Sequence, residues 1–166
     1  MMADAALLDR EIKQRMVDSI PKLRAFGLSL CGNPDRADDL VQECLAKALL
    51  NLNSFAEGTN LSAWLFTILR NTYYSEFRKH RREVPDSDGV HCATLVSQPS
   101  QEDHMHFLDF NKALQRLPAD QREALILVGA AGFSYEEAAE ICNCAIGTVK
   151  SRVSRGRTQL TEWLGI

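Results

Sequence analysis

The sequence of 166 residues contains no long apolar run and no basic and apolar N-terminal leader. The first absence argues against a transmembrane helix, which needs about 20 mostly apolar residues, and the second argues against a secretory signal peptide. The five cysteines are an odd number and so do not suggest a fully paired disulfide framework. We therefore expect a cytoplasmic protein with reduced thiols and no membrane contact.

The motifs of common catalytic sites are also missing. There is no phosphate-binding GxxxxGK[ST] loop, and no nucleophile occurs with a matching base and orienting acid. Asp38 and Asp39 are neighbours on a predicted helix, where adjacent side chains do not face each other. These absences predict a protein that is not an enzyme and that needs no cofactor.

Patterns typical of β-strands are absent as well, and no internal repeat is visible. Apolar residues instead recur at steps of three and four, the period of an α-helix. With 45% hydrophobic residues, the chain can bury one core or two small ones. The predicted fold class is all-α.

Lysine and arginine are absent from residues 84–104, where the helical periodicity also stops. This segment contains Pro85, Pro99 and four acids, a composition typical of a linker without a packed core. On either side the charges balance, with 12 basic against 11 acidic residues in 1–83 and 7 against 7 in 105–166. The predicted organisation is two small helical domains, 1–83 and 105–166, joined by a flexible acidic linker.

The strongest functional pattern lies near the end of the chain. Ser134 and Glu137 have the spacing of a capping box, which predicts that a short helix begins near Tyr135. Asn143 and Cys144 then interrupt the pattern before a basic helix. A short helix, a turn and a basic helix are typical of a helix-turn-helix, whose second helix enters the major groove of DNA.

The basic helix has two distinct faces. The face predicted to pack comprises Val149, Val153, Gly156 and Leu160. The polar face comprises Thr148, Ser151, Arg152 and Arg155, with Lys150 beside it. Arginine can contact guanine edges, while hydroxyl and ammonium groups can hold phosphates, so this face is predicted to bind DNA. A solvated amphipathic helix within a protein-interaction module is the alternative.

Cys142 and Cys144 could form a metal or redox site, with His91, Cys92, His104 and His106 as further ligands. However, no second pair of residues has the spacing of a zinc site. Small buried thiols near a turn are the simpler interpretation, so no metal is predicted.

The first domain contains four predicted helices, residues 7–20, 21–31, 35–52 and 61–82. The third carries an apolar stripe that comprises Leu40, Val41, Cys44, Leu45, Ala48, Leu49 and Leu52. Asp39, Gln42 and Glu43 lie towards its other side. The helix dipole favours acids in the first turn, but it does not explain Gln42 and Glu43. This face is either solvated or occupied by a partner.

The fourth helix follows a loop of residues 53–60 that contains Gly58 and capping residues. One face of this helix comprises Asn71, Tyr74, Arg78 and Arg82. Aromatic rings interleaved with arginine are typical of surfaces that bind single-stranded nucleic acid. The helix dipole also favours cations at a C-terminus, so some of these arginines need no ligand.

Taken in order, these segments resemble a known family. DRADDLVQECLAKALLN, LSAWLFTILRNTYYSEFRKHRR and LPADQREALILVGAAGFSYEEAAEICNCAIGTVKSRVSRGR are similar to a two-domain extracytoplasmic-function (group IV) sigma factor of bacterial RNA polymerase. The blocks GFSYEEAAEIC and GTVKSRVSR are most similar to its alphaproteobacterial general-stress-response subgroup. The resemblance covers nearly the whole chain, and it implies a protein that directs polymerase to −35 and −10 promoter elements.

The resemblance also implies a partner for each polar face. The residues implied to bind the β′ clamp helices of core RNA polymerase are Asp39, Gln42 and Glu43, and the second domain would contact the β flap. The residues implied to bind the −10 element are Asn53 and Asn60, in a loop that captures an unpaired base, and Asn71, Tyr74, Arg78 and Arg82 along the adjoining strand. The residues implied to bind the −35 element are Thr148, Lys150, Ser151, Arg152 and Arg155.

A small anti-sigma protein that covers the polymerase-binding surfaces is a further implied partner. The chain departs from the family pattern at Ala145, where many members have proline, and at Gly156, where many have alanine. Glycine within a helix costs about 1 kcal/mol relative to alanine, so the helix is expected to be less stable off DNA. A related sigma-like domain acts as a decoy for the anti-sigma protein and binds no promoter, and that alternative remains open here.

Overall fold

The computed structural model describes residues 2–83 and 101–166, and the regular elements in these ranges are helical, which confirms the all-α class. The first helical unit comprises α1 (Met2–Asp18), α2 (Ile20–Cys31), α3 (Pro34–Leu50) and α4 (Leu61–Glu83), with a short 3₁₀ helix at Leu52–Ser54. The second helical unit comprises α5 (Gln101–Arg116), α6 (Ala119–Leu125), α7 (Tyr135–Cys142) and α8 (Ile146–Leu164), with a π-helical turn at Ile126–Ala130.

Local signals set the helix boundaries around the turn between α2 and α3. Gly32 ends α2 with a φ of 69°, a left-handed conformation that glycine adopts without steric cost. The Asn33 side chain then accepts a hydrogen bond from the Arg36 backbone N–H at 3.1 Å. Pro34 occupies the first turn of α3, where a missing N–H is harmless. Gly32 thus ends one helix, and Asn33 and Pro34 begin the next.

The apolar stripe of α3 is narrower than predicted. Leu40, Cys44 and Ala48 are buried, but Leu49 is 49% exposed. Residues at steps of four follow one line along the helix, and α2 and α4 pack on that line. Leu49 lies about a quarter-turn further round and so points away from the core. The prediction that Leu49 packs inward was therefore wrong.

The boundary of the predicted linker also changes. Helix α5 begins at Gln101, so the last four residues of the segment 84–104 are helical. Polar residues interrupt the apolar pattern there, but the first turn of a helix tolerates them. The other residues of the predicted linker, 84–100, lie outside the described ranges, and its flexibility stays a prediction.

Aromatic side chains from both helical units meet in one core. The Phe66 ring of α4 stacks on Phe26 of α2 with ring centroids 4.9 Å apart. It also meets the edge of Phe133, which precedes α7, at a centroid distance of 4.9 Å. Helices α4 and α7 pack against each other around this point. The sequence predicted two domains but not this shared core.

The helix-turn-helix is present as predicted. The Ser134 hydroxyl accepts from the Glu137 backbone N–H at 3.1 Å, and the Glu137 carboxylate accepts from the Ser134 N–H at 2.9 Å. Asn143 ends α7 with a left-handed φ of 51°. These features turn the chain so that α8 crosses α6 and α7 with its apolar face inward.

Gly156 of α8 lies against side chains of α6. A Cβ atom added there would lie 2.6 Å from the Leu125 Cδ1 atom. The absence of a side chain thus lets the two helices approach each other at this point. In the described parts of the chain, no helix has the length and apolar character needed to span a membrane.

Candidate nucleic-acid and polymerase interfaces

Helix α8 is held by its predicted apolar face, since Val149, Val153, Gly156 and Leu160 are all buried. Packing of this side leaves the opposite side free for a ligand. The exposed residues there are Lys150, Ser154, Arg155, Arg157 and Thr158. Lys150 and Arg155 were predicted as DNA contacts, whereas Ser154, Arg157 and Thr158 were not. The same helical period that identified the buried face could have identified Ser154 and Thr158.

Arg152 is less available than Arg155. Its Nε atom lies 3.1 Å from the Asp120 carboxylate of α6, and its side chain is only 24% exposed. The Arg152 Nη1 atom also lies 3.8 Å from the Cys144 sulfur. The Nε donor of Arg152 is therefore already occupied by a partner within the protein.

The hydroxyl-bearing residues of α8 are partly used within the protein. Thr148 and Ser151 are half-buried, and the Ser151 hydroxyl donates to the Thr148 backbone carbonyl at 3.0 Å. The Lys150 ammonium lies 5.7 Å from the Tyr135 ring centroid, within the range of a cation–π contact. Lys150 itself is exposed, so a phosphate can still reach it.

Helix α4 exposes Asn71, Arg78 and Arg82 on one side. A groove of about 250 Å³ runs along this side, and its lining residues are Ser75, Arg78, Lys79, Arg82 and Glu83. Three of these five side chains are basic. The groove therefore suits a nucleic-acid backbone, and it adds Ser75 and Lys79 to the residues that the sequence singled out.

A second groove continues from the first towards the loop of residues 53–60. Its volume is about 470 Å³, within the range typical of small-molecule sites. Its lining residues are Lys47, Asn51, Ser54, Trp64, Ile68, Asn71, Thr72 and Ser75. Amide, hydroxyl and indole groups together can stack on a base and hydrogen-bond to its edges. The structure thus brings Asn71 together with Asn51 and Ser54, two residues that the sequence did not single out.

The two asparagines predicted to capture a base lie in different surroundings. Asn53 is exposed within the 3₁₀ helix. The Asn60 side chain instead caps α4, because it accepts from the Ala63 backbone N–H at 3.2 Å. Its amide also donates to the Glu137 carboxylate of α7 at 2.8 Å. The structure therefore places Asn60 against the second helical unit and away from the groove that Asn71 lines.

Tyr74 also faces the second helical unit. The Arg70 guanidinium lies 4.6 Å from its ring centroid, and its hydroxyl lies 3.5 Å from a Glu123 oxygen. Burial raises the pKa of the Tyr74 hydroxyl to about 12, so the phenol is neutral at pH 7. Tyr74 lies on α4 beside the groove and is half-buried, with its hydroxyl directed to Glu123 of α6.

Arg70 and Glu123 form an ion pair between the two units. The Arg70 Nε atom lies 2.5 Å from the Glu123 carboxylate, and the Glu123 side chain is 1% exposed. Burial raises the pKa of Glu123, and the adjacent guanidinium opposes that rise. Removing one partner of a buried pair leaves the other charge without compensation, so this pair couples the positions of α4 and α6.

The face of α3 predicted to bind polymerase is mostly free. Asp39 and Gln42 are exposed, whereas the Glu43 carboxylate lies 2.7 Å from the Lys47 ammonium. This hydrogen bond lowers the pKa of Glu43. The exposed Leu49 and Leu50 extend the same surface with apolar groups. A surface that mixes carboxylates and leucines suits a protein partner better than a nucleic acid.

Cys142, near the turn between α7 and α8, is a buried thiol. Burial raises the pKa of the Cys142 thiol to about 12, so this thiol stays protonated at neutral pH. A protonated thiol is a poor nucleophile and a poor metal ligand. Among the residues that the structure describes, no group of three or more His, Cys, Asp or Glu side chains is arranged to hold a metal ion.

Two segments of the chain match models of known protein domains. Residues 16–83 match sigma-70 region 2, and residues 107–160 match sigma-70 region 4. The first match spans α2 to α4 and includes both grooves, and the second includes the helix-turn-helix. The first helical unit is hereafter called region 2 and the second region 4.

Curated relatives agree with these domain matches. The chain is 59% identical over 157 residues to the ECF RNA polymerase sigma factor EcfG of Rhodopseudomonas palustris, covering 95% of this chain and 87% of that protein. It is 30% identical over 139 residues to the ECF RNA polymerase sigma factor SigM of Bacillus subtilis, covering 81% of this chain and 83% of that protein. For both relatives, the matched part of this chain includes residues of region 2 and of region 4.

A solved structure has the same fold at high identity. The sigma factor RpoE of Bartonella quintana, crystallised in complex with the anti-sigma factor NepR, superposes with a TM-score of 0.83 at 55% identity and covers 95% of this chain and 98% of that chain. CnrH in complex with the cytosolic domain of CnrY shares the fold, with a TM-score of 0.69 at 22% identity and coverage of 95% and 89%. The chain therefore belongs to the extracytoplasmic-function (ECF) RNA polymerase sigma factors, a family of transcription initiation factors and not of enzymes.

Proposed function

We propose that this sigma factor directs RNA polymerase to promoters through one DNA-binding face on each region, and that it has no enzymatic activity of its own. The observation that carries the proposal is that α4 and α8 each expose a basic face, within the segments that match sigma regions 2 and 4. The face of α8 fits the duplex −35 element in the major groove. The grooves of α4 fit the unpaired −10 strand.

The exposed surface of α3 is our proposed site for core polymerase. Asp39 and Gln42 supply polar groups, and Leu49 and Leu50 supply apolar area beside them. In this assembly the β′ clamp helices contact α3, and region 4 contacts the β flap. RNA polymerase acts in the cytoplasm, so we place the protein in that compartment.

A small anti-sigma protein is our proposed regulator, with the general stress response as the setting. Support comes from the relative named EcfG at 59% identity and from the complex of RpoE with NepR at 55% identity. Such a regulator would act by covering the polymerase-binding surfaces.

Transcription in vitro tests the proposed function directly. Core RNA polymerase is incubated with a library of promoter fragments, with and without this protein. We expect transcripts with discrete start sites only when the protein is present. No transcripts from any fragment would favour the decoy alternative, in which the chain binds an anti-sigma protein but not DNA.

Replacement of Arg155 by alanine is expected to weaken −35 recognition by about 1–3 kcal/mol if the guanidinium makes a bidentate contact with guanine. The loss should be confined to one base pair, which is identified by changing each −35 base pair in turn and measuring holoenzyme affinity. Lys150→Ala is the comparison. It removes a phosphate contact and should lower affinity on all sequences, with the salt slope reduced by about 1. A uniform loss for Arg155→Ala would contradict base readout by this residue.

Arg152 calls for a different experiment because Asp120 already binds it. Arg152→Ala removes the ion pair with Asp120 within region 4 as well as any DNA contact, so its effect on affinity alone is ambiguous. Asp120→Asn keeps Arg152 but removes the competing carboxylate. If Arg152 contacts the −35 element, Asp120→Asn should strengthen holoenzyme binding, whereas an unchanged or weaker affinity would assign Arg152 to the fold.

A further inference from the structure

Lys47 gives the second groove a cation that is fixed on two sides. Its ammonium lies 2.7 Å from the Glu43 carboxylate and donates to the Thr72 hydroxyl at 3.1 Å. Thr72 is buried, and its hydroxyl donates to the Ile68 backbone carbonyl at 2.8 Å, so the hydroxyl oxygen is free to accept. An ammonium group has three N–H bonds, so one remains for a ligand in the groove that Lys47 lines.

Two further polar side chains of the groove present acceptors. The Asn51 amide nitrogen donates to the Lys47 backbone carbonyl at 2.8 Å, which leaves the amide oxygen for a ligand. The Ser54 hydroxyl donates to the Asn51 backbone carbonyl at 2.7 Å, so its lone pairs remain. The groove thus combines a cationic donor with two neutral acceptors.

Trp64 supplies a flat apolar side of the same groove. Its ring is tilted by 43° against Phe55 of the loop, with ring centroids 5.2 Å apart. An aromatic ring stacks on the face of any base, so this side holds a base without selecting it. Selection must come from the polar groups that meet the edges of the base.

We infer that Lys47 is a specificity-determining residue of the −10 site, and that the second groove takes an unpaired guanine or cytosine in preference to adenine or thymine. The inference rests on the proposed function, because it names the bases that this groove accepts. It assigns the reading of the base to α3 and the turn after it, and not to the two asparagines that the sequence singled out in the loop of residues 53–60.

The edges of the four bases differ in the property that these groups distinguish. Guanine has O6 and N7 as adjacent acceptors for the Lys47 ammonium, and cytosine has O2 and N3. Both bases also carry an amino group, which can donate to Asn51 or Ser54. In adenine the amino group lies beside N1 and N7, so the ammonium meets a donor. In thymine an N–H separates the two carbonyls, and there is no amino group.

The test measures the affinity of holoenzyme for a promoter fragment whose −10 segment is held open by mismatches. Each unpaired base of the non-template strand is changed in turn to adenine, cytosine, guanine and thymine. We expect one position at which a strand with guanine or cytosine binds about tenfold more tightly than one with adenine or thymine, as a hydrogen bond from a charged donor typically provides. If the unaltered chain shows no such position, the inference is wrong.

Lys47→Met keeps the length of the side chain and removes its donors. We expect the preference to fall to about twofold or less, because only the amide and hydroxyl contacts remain. Lys47→Arg restores a cation and should recover most of the preference. Lys79→Gln is the matched control, because it removes an exposed lysine from the first groove and should lower the affinity for all four bases alike.

The preference is a ratio within one variant, so it does not depend on how much holoenzyme forms. An undiminished preference in Lys47→Met would overturn the role of Lys47. If that variant does not assemble because Glu43 loses its partner, Thr72→Val decides in its place, since it keeps both charges and removes the acceptor that positions the ammonium. An undiminished preference in Thr72→Val would then count against the inference.

Transcription by the unaltered holoenzyme is a separate readout. Failure to initiate on every promoter would reject the proposed function. Normal initiation without a preference for guanine or cytosine at any unpaired position would reject this inference alone.

Discussion

Asp39→Arg is expected to abolish assembly of the holoenzyme. Asp39 is exposed on the face of α3 that we propose as the polymerase site, and reversing its charge places like charges together at the contact. Such a juxtaposition costs several kcal/mol, which corresponds to a loss of affinity of about a hundredfold or more. Binding of labelled chain to core polymerase measures the effect, with helicity checked by circular dichroism.

Glu43→Arg is expected to act in the same direction but is harder to interpret. Its carboxylate binds Lys47 at 2.7 Å, so the substitution also introduces repulsion within the chain. Glu11→Arg is the matched control, because Glu11 is an exposed acid of α1 and undergoes the same change of charge. If the Asp39→Arg variant assembles with core polymerase normally, the polar face of α3 is a solvated surface and not the polymerase site. An equal loss of affinity for core polymerase in the Glu11→Arg variant would indicate a general effect of net charge.

Phe66→Ala should lower the free energy of unfolding by about 3–5 kcal/mol, as removal of a buried phenylalanine ring typically does. The Phe66 ring is buried and contacts Phe26 and Phe133 at the centre of the shared core. Its loss leaves a cavity bordered by both regions. Urea unfolding followed by circular dichroism measures the change. We also expect the unfolding of regions 2 and 4 to become less cooperative, because they share this contact.

Phe77→Ala provides the matched comparison on the same helix. Phe77 is 47% exposed, so its truncation should change the free energy of unfolding by only about 0.5 kcal/mol. Similar losses for the two variants would argue against the packing of Phe133 on Phe66. A loss confined to region 2, with region 4 unfolding as before, would mean that the two regions do not share a core in solution.

Local features of the sequence determined most of the fold. The capping box of Ser134 and Glu137, the left-handed Gly32 and the buried face of α8 all follow from residues within one or two turns of each other. Hydrogen bonds and helical period act over that distance, so sequence alone can reveal them. The order of these segments was also sufficient to predict the sigma factor family, which the relatives then confirmed.

Whether a candidate binding residue is free or already paired within the protein depends on contacts between helices that are distant in the sequence. Arg152 and Arg155 look alike in the sequence, but only Arg152 lies beside Asp120. Asn60 and Tyr74 likewise contact region 4, whereas Asn71 lines an open groove. No local pattern predicts such partners, because they are set by the angle at which helices cross.

The same reason accounts for the shared core. The sequence by itself determined the capping box at the start of α7, which face of α8 is buried, and that the chain belongs to a DNA-binding family. Only the tertiary structure decided that Phe133 packs into region 2, that Glu123 pairs with Arg70, and that Leu49 stays exposed. The period of the apolar residues shows that one face of a helix must be buried. The hydrophobic effect is non-directional, so it does not specify which other helix buries that face.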